Sequence, residues 1–231
     1  MSFWSGQTLS YRARSEGLIK PFDADSVECS SYALHVGNEA FVTRDRRDQS
    51  EELNQGSAPG HLIASDEGSI SIPSGQFAFL IAKETIRIPD DTIGFISLKT
   101  WKKFHGLVNV SGFHVDPGWS GRLIFAVFNA GPLLIIIKPD DPLFLLFFAS
   151  LTEEAEKRFL YHGNSNFSRI PAFLMEEMSA PVPSIYKLNN KVADLIEKVK
   201  IAELRSNIAI VLAGLVVTVS IALVIRIIFS A

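Results

Sequence analysis

The side chains that most often carry catalysis or hold metals are sparse and dispersed in this chain. The five histidines, His35, His61, His105, His114 and His162, show no HxH or HxxxH spacing, and Cys29 is the only cysteine. One thiol excludes an internal disulfide and a multi-cysteine metal site, and fits a reducing compartment. The scattered imidazoles read as surface or satisfied core residues, so no metal is expected. Asp116 has the clearest local setting, because it opens the run Asp116-Pro117-Gly118-Trp119. Pro-Gly is turn chemistry, and a carboxylate beside it reads first as a cap on backbone amides of its own turn. A net charge of -3 points to no general nucleic-acid partner.

The elements that must position these residues are strands. Short runs rich in Val, Ile and Phe fall at 77–82, 85–88, 93–97, 107–110, 122–129, 133–138 and 143–151. Pro89-Asp90-Asp91, Pro117-Gly118, Ala130-Gly131-Pro132 and Pro139-Asp140-Asp141-Pro142 punctuate them. Regular spacing without long helices predicts an all-β sandwich or barrel. Residues 44–60 are charged, polar and Gly/Pro-containing, and read as a mobile surface loop.

The C-terminal end is different in kind. Residues 206–225 carry no charge, and twelve of the residues from 208 to 225 are Leu, Ile or Val. A 20-residue helix spans about 30 Å, the thickness of the hydrocarbon core, and these apolar side chains favour insertion by about 6 kcal/mol. Lys198, Lys200 and Arg205 precede the span, while Arg226 alone follows it. That bias predicts a single-pass membrane protein with its N-terminal domain in the cytoplasm and a tail anchor at 206–229. The start of the chain has no basic segment followed by an apolar run, so it is not a signal peptide.

Before the span, Ile185, Leu188, Val192, Leu195, Val199 and Ala202 recur at alternating intervals of three and four. Pro183-Ser184 offers a helix start with Ser184 as N-cap. The stripe suits a helix over 184–205, either packed on its own domain or joined to other copies as a coiled-coil stalk whose strand number stays open. Residues 166–183 read as a linker, and 1–165 as the β domain.

The β domain resembles the dCTP deaminase/dUTPase superfamily, and within it dCTP deaminases, over roughly residues 15–165. Ile19-Lys20-Pro21-Phe22 and Ser30-Ser31-Tyr32-Ala33-Leu34-His35-Val36-Gly37 look like the opening of those enzymes. Ile88-Pro89-Asp90-Asp91 resembles the turn before their phosphate-binding segment. The most specific match is Val115-Asp116-Pro117-Gly118-Trp119-Ser120-Gly121 followed by Asn129-Ala130-Gly131. The resemblance implies a distorted jelly roll, assembly as a homotrimer, and sites between subunits. It implies nucleotide contacts at Lys99, Thr100, Asp116 and Trp119. No cofactor would be required, although Mg2+ could accompany a nucleotide ligand. Expected partners are further copies of the chain, a deoxynucleotide and the bilayer, but no nucleic acid.

The site is altered relative to the family pattern. The phosphate-binding segment Gly-Arg-Ser-Ser-Leu-Ala-Arg-Leu-Gly-Leu aligns with Leu98-Lys99-Thr100-Trp101-Lys102-Lys103-Phe104-His105-Gly106-Leu107. Lys99 lacks the planar fork of arginine, Trp101 replaces a small serine, and Phe104 replaces a second arginine. The deaminase glutamate, which serves as general acid and base, falls at Ala126. A methyl group cannot move protons. The dUTPase pattern tolerates an apolar residue there and uses the Asp116 position to orient water. Its Gly-rich closing motif, however, is missing from this sequence. Together with the C-terminal span, the resemblance thus implies a membrane-anchored, deaminase-like nucleotide sensor or protein-binding module without deaminase chemistry. The alternatives are a working dCTP deaminase or dUTP hydrolase, and a purely structural trimeric scaffold.

Overall fold

The computed structural model describes residues 2–43, 61–63, 68–163, 167–178 and 185–229. The loop read at 44–60 and the helix start at Pro183-Ser184 lie outside the described residues. The chain divides into two units, Met1–Ser184 and Ile185–Ala231.

The first unit opens with β1 (Ser2–Phe3), α1 (Gly6–Ser15), β2 (Ile19–Lys20), β3 (Val27–Glu28) and β4 (Ser31–Val42). It continues through β5 (His61–Ile63), β6 (Ile70–Ile72), β7 (Phe77–Arg87), β8 (Thr92–Leu98) and α2 (Thr100–Phe104). Then come β9 (Leu107–Asn109), β10 (His114–Val115), β11 (Ser120–Asn129), β12 (Ile135–Ile137), β13 (Pro142–Ser150) and α3 (Ala172–Glu177).

Eleven strands form one sheet with the path β10-β8-β13-β4-β7-β11-β9, while β12 and β6 pair separately. Strand β4 turns the sheet: residues 32–35 pair with β13, and residues 36–42 pair antiparallel with β7 across a register shift. Phe125 of β11 and Phe144 of β13 are not on neighbouring strands, yet their rings stack with centroids 3.5 Å apart. The antiparallel sheet therefore curls into a half-barrel around one main core.

Burial follows the strand period. On β11, Leu123, Phe125, Val127 and Asn129 are buried and the intervening residues are not. On β7, Ala78 to Ala82 are all buried, because both faces are covered. One face meets the main core; on the other, Phe41, Phe79 and Ile81 pack with Ile170.

The two strands expected at 77–82 and 85–88 are one. Lys83-Glu84 lies between the two runs, and the Glu84 carboxylate is buried and satisfied. It accepts from the His35 backbone N–H at 3.0 Å and lies 2.6 Å from His35 Nδ1. The strand expected over 133–138 shrinks to β12, with Leu133 and Leu134 left exposed. Helix α1 has no periodic stripe to announce it, since Leu9 and Ala13 alone are buried. Ser5 caps it by accepting from Thr8 N at 3.3 Å.

Helix α1 is tied to the turn before β8. Arg12 donates to both Asp91 oxygens, at 3.1 and 3.2 Å, and its guanidinium carbon sits 4.4 Å from the Trp4 ring centroid. Burial pushes the Asp91 carboxyl up, but the hydrogen bonds from Arg12 and Thr92 outweigh it and hold it below its ordinary value. A carboxyl lowered on folding stabilises fully above its unfolded pKa of about 3.9, and that stability is lost as pH falls through the folded value. Asp91→Asn is expected to cost under about 1 kcal/mol at neutral pH, since both partners reach solvent, and to flatten the loss of stability below about pH 4. Denaturant midpoints at neutral and acid pH check this; parallel acid limbs for variant and wild type would refute it.

The second unit is α4 (Ile185–Phe229), one helix of 45 residues. The stalk and span expected over 184–205 and 206–229 share this single backbone, with no break at Arg205. Val192, Leu195 and Val199 of the heptad stripe are exposed on a single copy. Within Asn190–Ile221 the helix is long and apolar enough to cross a membrane. Its polar side chains bond inward: Thr218 Oγ1 donates to Gly214 O at 3.1 Å, and Ser220 Oγ to Val216 O at 2.8 Å. Hydroxyls satisfied by their own helix are tolerated in hydrocarbon.

Candidate functional site

Asp116, Pro117, Gly118 and Trp119 form a type II turn. Trp119 N donates to Asp116 O at 3.2 Å, and Gly118 at the third position has φ of 77°, which glycine adopts without steric cost. The turn is fastened to the chain before β8: Gly118 N donates to Ile88 O at 3.1 Å, and Ile88 N to Trp119 O at 2.8 Å. Trp119, expected at a nucleotide, is 8% exposed and belongs to the core. The Asp116 carboxylate caps no backbone amide among the described residues. Its partner is His114, whose Nε2 lies 3.4 Å from Oδ1, with both side chains about half exposed. Residues two apart in extended chain share a face, so the spacing His114-Val115-Asp116 was a legible signal that a search for paired histidines passes over.

Lys99 and Thr100 lie at the start of α2. Lys99 pairs with Glu28 of β3, and Thr100 is exposed in the first turn. Lys102 and Lys103 point elsewhere: Lys102 Nζ donates to Ile136 O at 3.2 Å, and Lys103 Nζ to Ser97 Oγ at 2.9 Å. Glu28 is the group that sequence reasoning did not select, because it is 71 residues from its partner.

One chain does not bring the two halves of the candidate site together. Strand β10 pairs with β8 through His114↔Phe95 and Val115↔Gly94, which sets Asp116 level with Ile93. Lys99 follows the far end of β8, six residues on from Ile93, which at the strand rise of about 3.3 Å per residue puts it about 20 Å away.

Ala126 pairs with Phe79 on the outer face of the β7–β11 ladder. It packs in the cluster of Phe41, Phe79, Ile81 and Ile170, with Leu174, Met175 and Met178 alongside. Residues 167–178, within the segment read as a linker, thus cover this face. Arg122 of β11 fixes them there, donating from Nε to Ala82 O at 2.7 Å and from Nη1 to Ser168 O at 3.0 Å. Burial lowers the pKa of the Arg122 guanidinium, and Glu39 and Glu84 offset part of that. Immediately around Ala126 the packed side chains are apolar, where proton transfer would need a positioned carboxylate.

Beside α2, Gly106 has φ of 92° and its backbone lies against Gly131, so that a side chain on either would strike the other segment. Asn129, fully buried, locks this junction. Its Nδ2 donates to Ile72 O and Leu133 O, both at 2.8 Å, and its Oδ1 accepts from Gly131 N at 2.9 Å. The run Asn129-Ala130-Gly131 is therefore a structural clasp that shapes the loop facing α2.

Comparison with known proteins accords with this geometry. A family model described as dCTP deaminase-like matches residues 3–151. The dCTP deaminase of Thermococcus kodakarensis is 30% identical over 160 residues, covering 69% of this chain and 91% of the relative. That of Pyrococcus furiosus is 30% identical over 164 residues, covering 71% and 93%. Among solved structures, the 2'-deoxycytidine 5'-triphosphate deaminase from Agrobacterium tumefaciens superposes with a TM-score of 0.50 at 13% identity, over 67% of this chain and 50% of that one, a likeness of fold. With a curled antiparallel sheet, the Asp-Pro-Gly-Trp turn and the family match all falling on the same residues, the chain belongs to the dCTP deaminase-like family.

Proposed function

We propose that this protein is a membrane-anchored member of its family that has lost deamination and serves as a deoxynucleotide sensor or interaction module. The observation that carries the reading is Ala126, on an apolar face covered by Ile170 and Leu174. The side chain at that position is a methyl group, which supplies no carboxylate for proton transfer. Nucleotide binding is supported by Lys99, whose ion pair with Glu28 is partly exposed. Such pairs are worth about 0–1 kcal/mol, so a phosphate can displace the carboxylate. Because Lys99 and Asp116 lie about 20 Å apart along one chain, they serve one ligand together only if neighbouring copies supply them. This favours a homotrimer with sites between subunits, and the exposed stripe Val192, Leu195 and Val199 suits a stalk joining the copies. The cations Lys198, Lys200 and Arg205 before the span favour a cytoplasmic β domain.

A second reading, dUTP hydrolysis, draws on the half-exposed Asp116 carboxylate beside His114. Calorimetric titration with dCTP and dUTP in the presence of Mg2+ separates the readings. The sensor reading expects saturable binding without turnover, weakened roughly tenfold by Lys99→Ala, as fits loss of one charge-assisted phosphate contact of about 1.4 kcal/mol. Pyrophosphate release from dUTP would establish the hydrolase, and no binding of any deoxynucleotide would leave a structural scaffold.

A further inference from the structure

The chain has three methionines: Met1, and Met175 and Met178 on the segment that covers the outer face of β11. Residues three or four apart on a helical turn share a side. Leu174, Met175 and Met178 accordingly pack, partly buried, on the cluster of Phe41, Phe79, Ile81 and Ile170, while Ala172 and Phe173 face solvent. We propose that Met175 and Met178 form an oxidation site, and that a sulfoxide on either releases the 167–178 segment from the face around Ala126. The inference stands independently of nucleotide binding.

The segment is held least firmly where the methionines sit. Helix α3 has six residues, and its N-cap, Pro171, makes no side-chain cap bond. A helix so short does not persist without its packing. The bond from Arg122 Nη1 to Ser168 O fastens the opposite end of the segment. Around α3, two of the three side chains packed on the cluster are thioethers. Elements with few buried contacts open well below global unfolding, so a change at two side chains is enough to shift this one.

The chemistry needs a peroxide as oxidant. A sulfur lone pair attacks one oxygen of hydrogen peroxide, the S–O bond forms and the O–O bond breaks. The proton of the attacked oxygen passes to the departing hydroxide, which leaves as water. Sulfur is oxidised by two electrons and the peroxide is reduced by two. Both methionines are partly exposed, so a small oxidant reaches them. The product is a polar sulfoxide where an apolar thioether was packed. Against Phe41, Phe79 and Ile81 it finds no donor on those side chains, and an unpaired polar group is costly to keep buried. Release returns it to water, and methionine sulfoxide reductases then restore the thioether.

The test uses the full chain in detergent micelles, carrying Cys29→Ser because that thiol is free and exposed. The protein is treated with hydrogen peroxide alongside free methionine, and peptide mass mapping and hydrogen exchange are read on the same sample. The expected result is one added oxygen on each of Met175 and Met178. Amides of 167–178 then exchange about tenfold faster, while those of β4 and β13 are unchanged. Repair by methionine sulfoxide reductases restores slow exchange. Met175→Leu/Met178→Leu keeps slow exchange under peroxide, since leucine fills a similar volume without an oxidisable atom. Both methionines left unoxidised while free methionine is consumed would overturn the site. Sulfoxide on both with exchange unchanged would overturn the release. Fast exchange that persists after repair, or that peroxide also produces in the leucine variant, overturns it by assigning the opening to other chemistry. The repair arm decides on its own if the leucine variant does not fold.

Discussion

Purified protein is expected to release no ammonia from dCTP in the presence of Mg2+, and Ala126→Glu is expected not to restore the activity. The first half follows from chemistry. Removing a positioned general acid/base costs about 10²–10⁴ in rate, and the stretch of β11 around Ala126, Leu123-Ile124-Phe125-Ala126-Val127-Phe128, carries no carboxylate. The second half follows from packing. A glutamate at this position would project among Phe41, Phe79, Ile81 and Ile170. An unpaired carboxylate in that setting is held protonated or forces the covering segment away. The expected cost is about 2 kcal/mol, or a melting temperature lower by about 5 °C for a domain of this size. The substrate would also be poorly held, because Trp101 and Phe104 occupy the positions of a small serine and an arginine in the family pattern. A displacement of about 1 Å alone costs about a hundredfold in rate. Ammonia release together with thermal unfolding of both proteins checks these outcomes. Turnover by the wild type would end the pseudoenzyme reading. A stable, active Ala126→Glu variant would show that the 167–178 segment leaves the face when substrate arrives.

The other large effect is expected at Asn129. Replacement by alanine removes the partners of Ile72 O and Gly131 N, both buried, and of Leu133 O, which is part-buried. Each buried group left without a partner costs about 1–3 kcal/mol, and water reaching the cavity would recover part of this. Asn129→Ala is therefore expected to destabilise the β domain by about 3 kcal/mol. Asn129→Asp should be at least as damaging, because it turns a double donor into an acceptor that faces two carbonyl oxygens. Chemical denaturation followed by the emission of buried Trp4 and Trp119 measures both. A loss below about 1 kcal/mol for either variant would show that the clasp does not hold the junction.

Those expectations draw on different levels of information. The Asp116–Trp119 turn was legible in the sequence because proline at the second position and glycine at the third specify its dihedral angles locally. The apolar helix at the C-terminus was legible for a similar reason: its length and lack of charge are properties of consecutive residues. Most strands announced themselves through Val, Ile and Phe runs between turn residues, and β11 alternates as its pattern implies.

Local pattern failed where a distant residue changes the meaning of a near one. The runs 77–82 and 85–88 read as two strands, but with Glu84 bonded to His35 between them they form one. Trp119 looked available for a ligand until the curl of the sheet placed it in the core. Lys99 looked like a free cation until β3 brought Glu28 to it. Strand period separates two faces but does not say what covers each. Runs of consecutive residues therefore carried the family signature, the turn, the β-rich domain and the long apolar helix. Folding alone brought residues 167–178 over Ala126. It alone set Asp116 and Lys99 about 20 Å apart on one chain, because each of these depends on contacts between segments whose separation along the chain leaves no periodic trace.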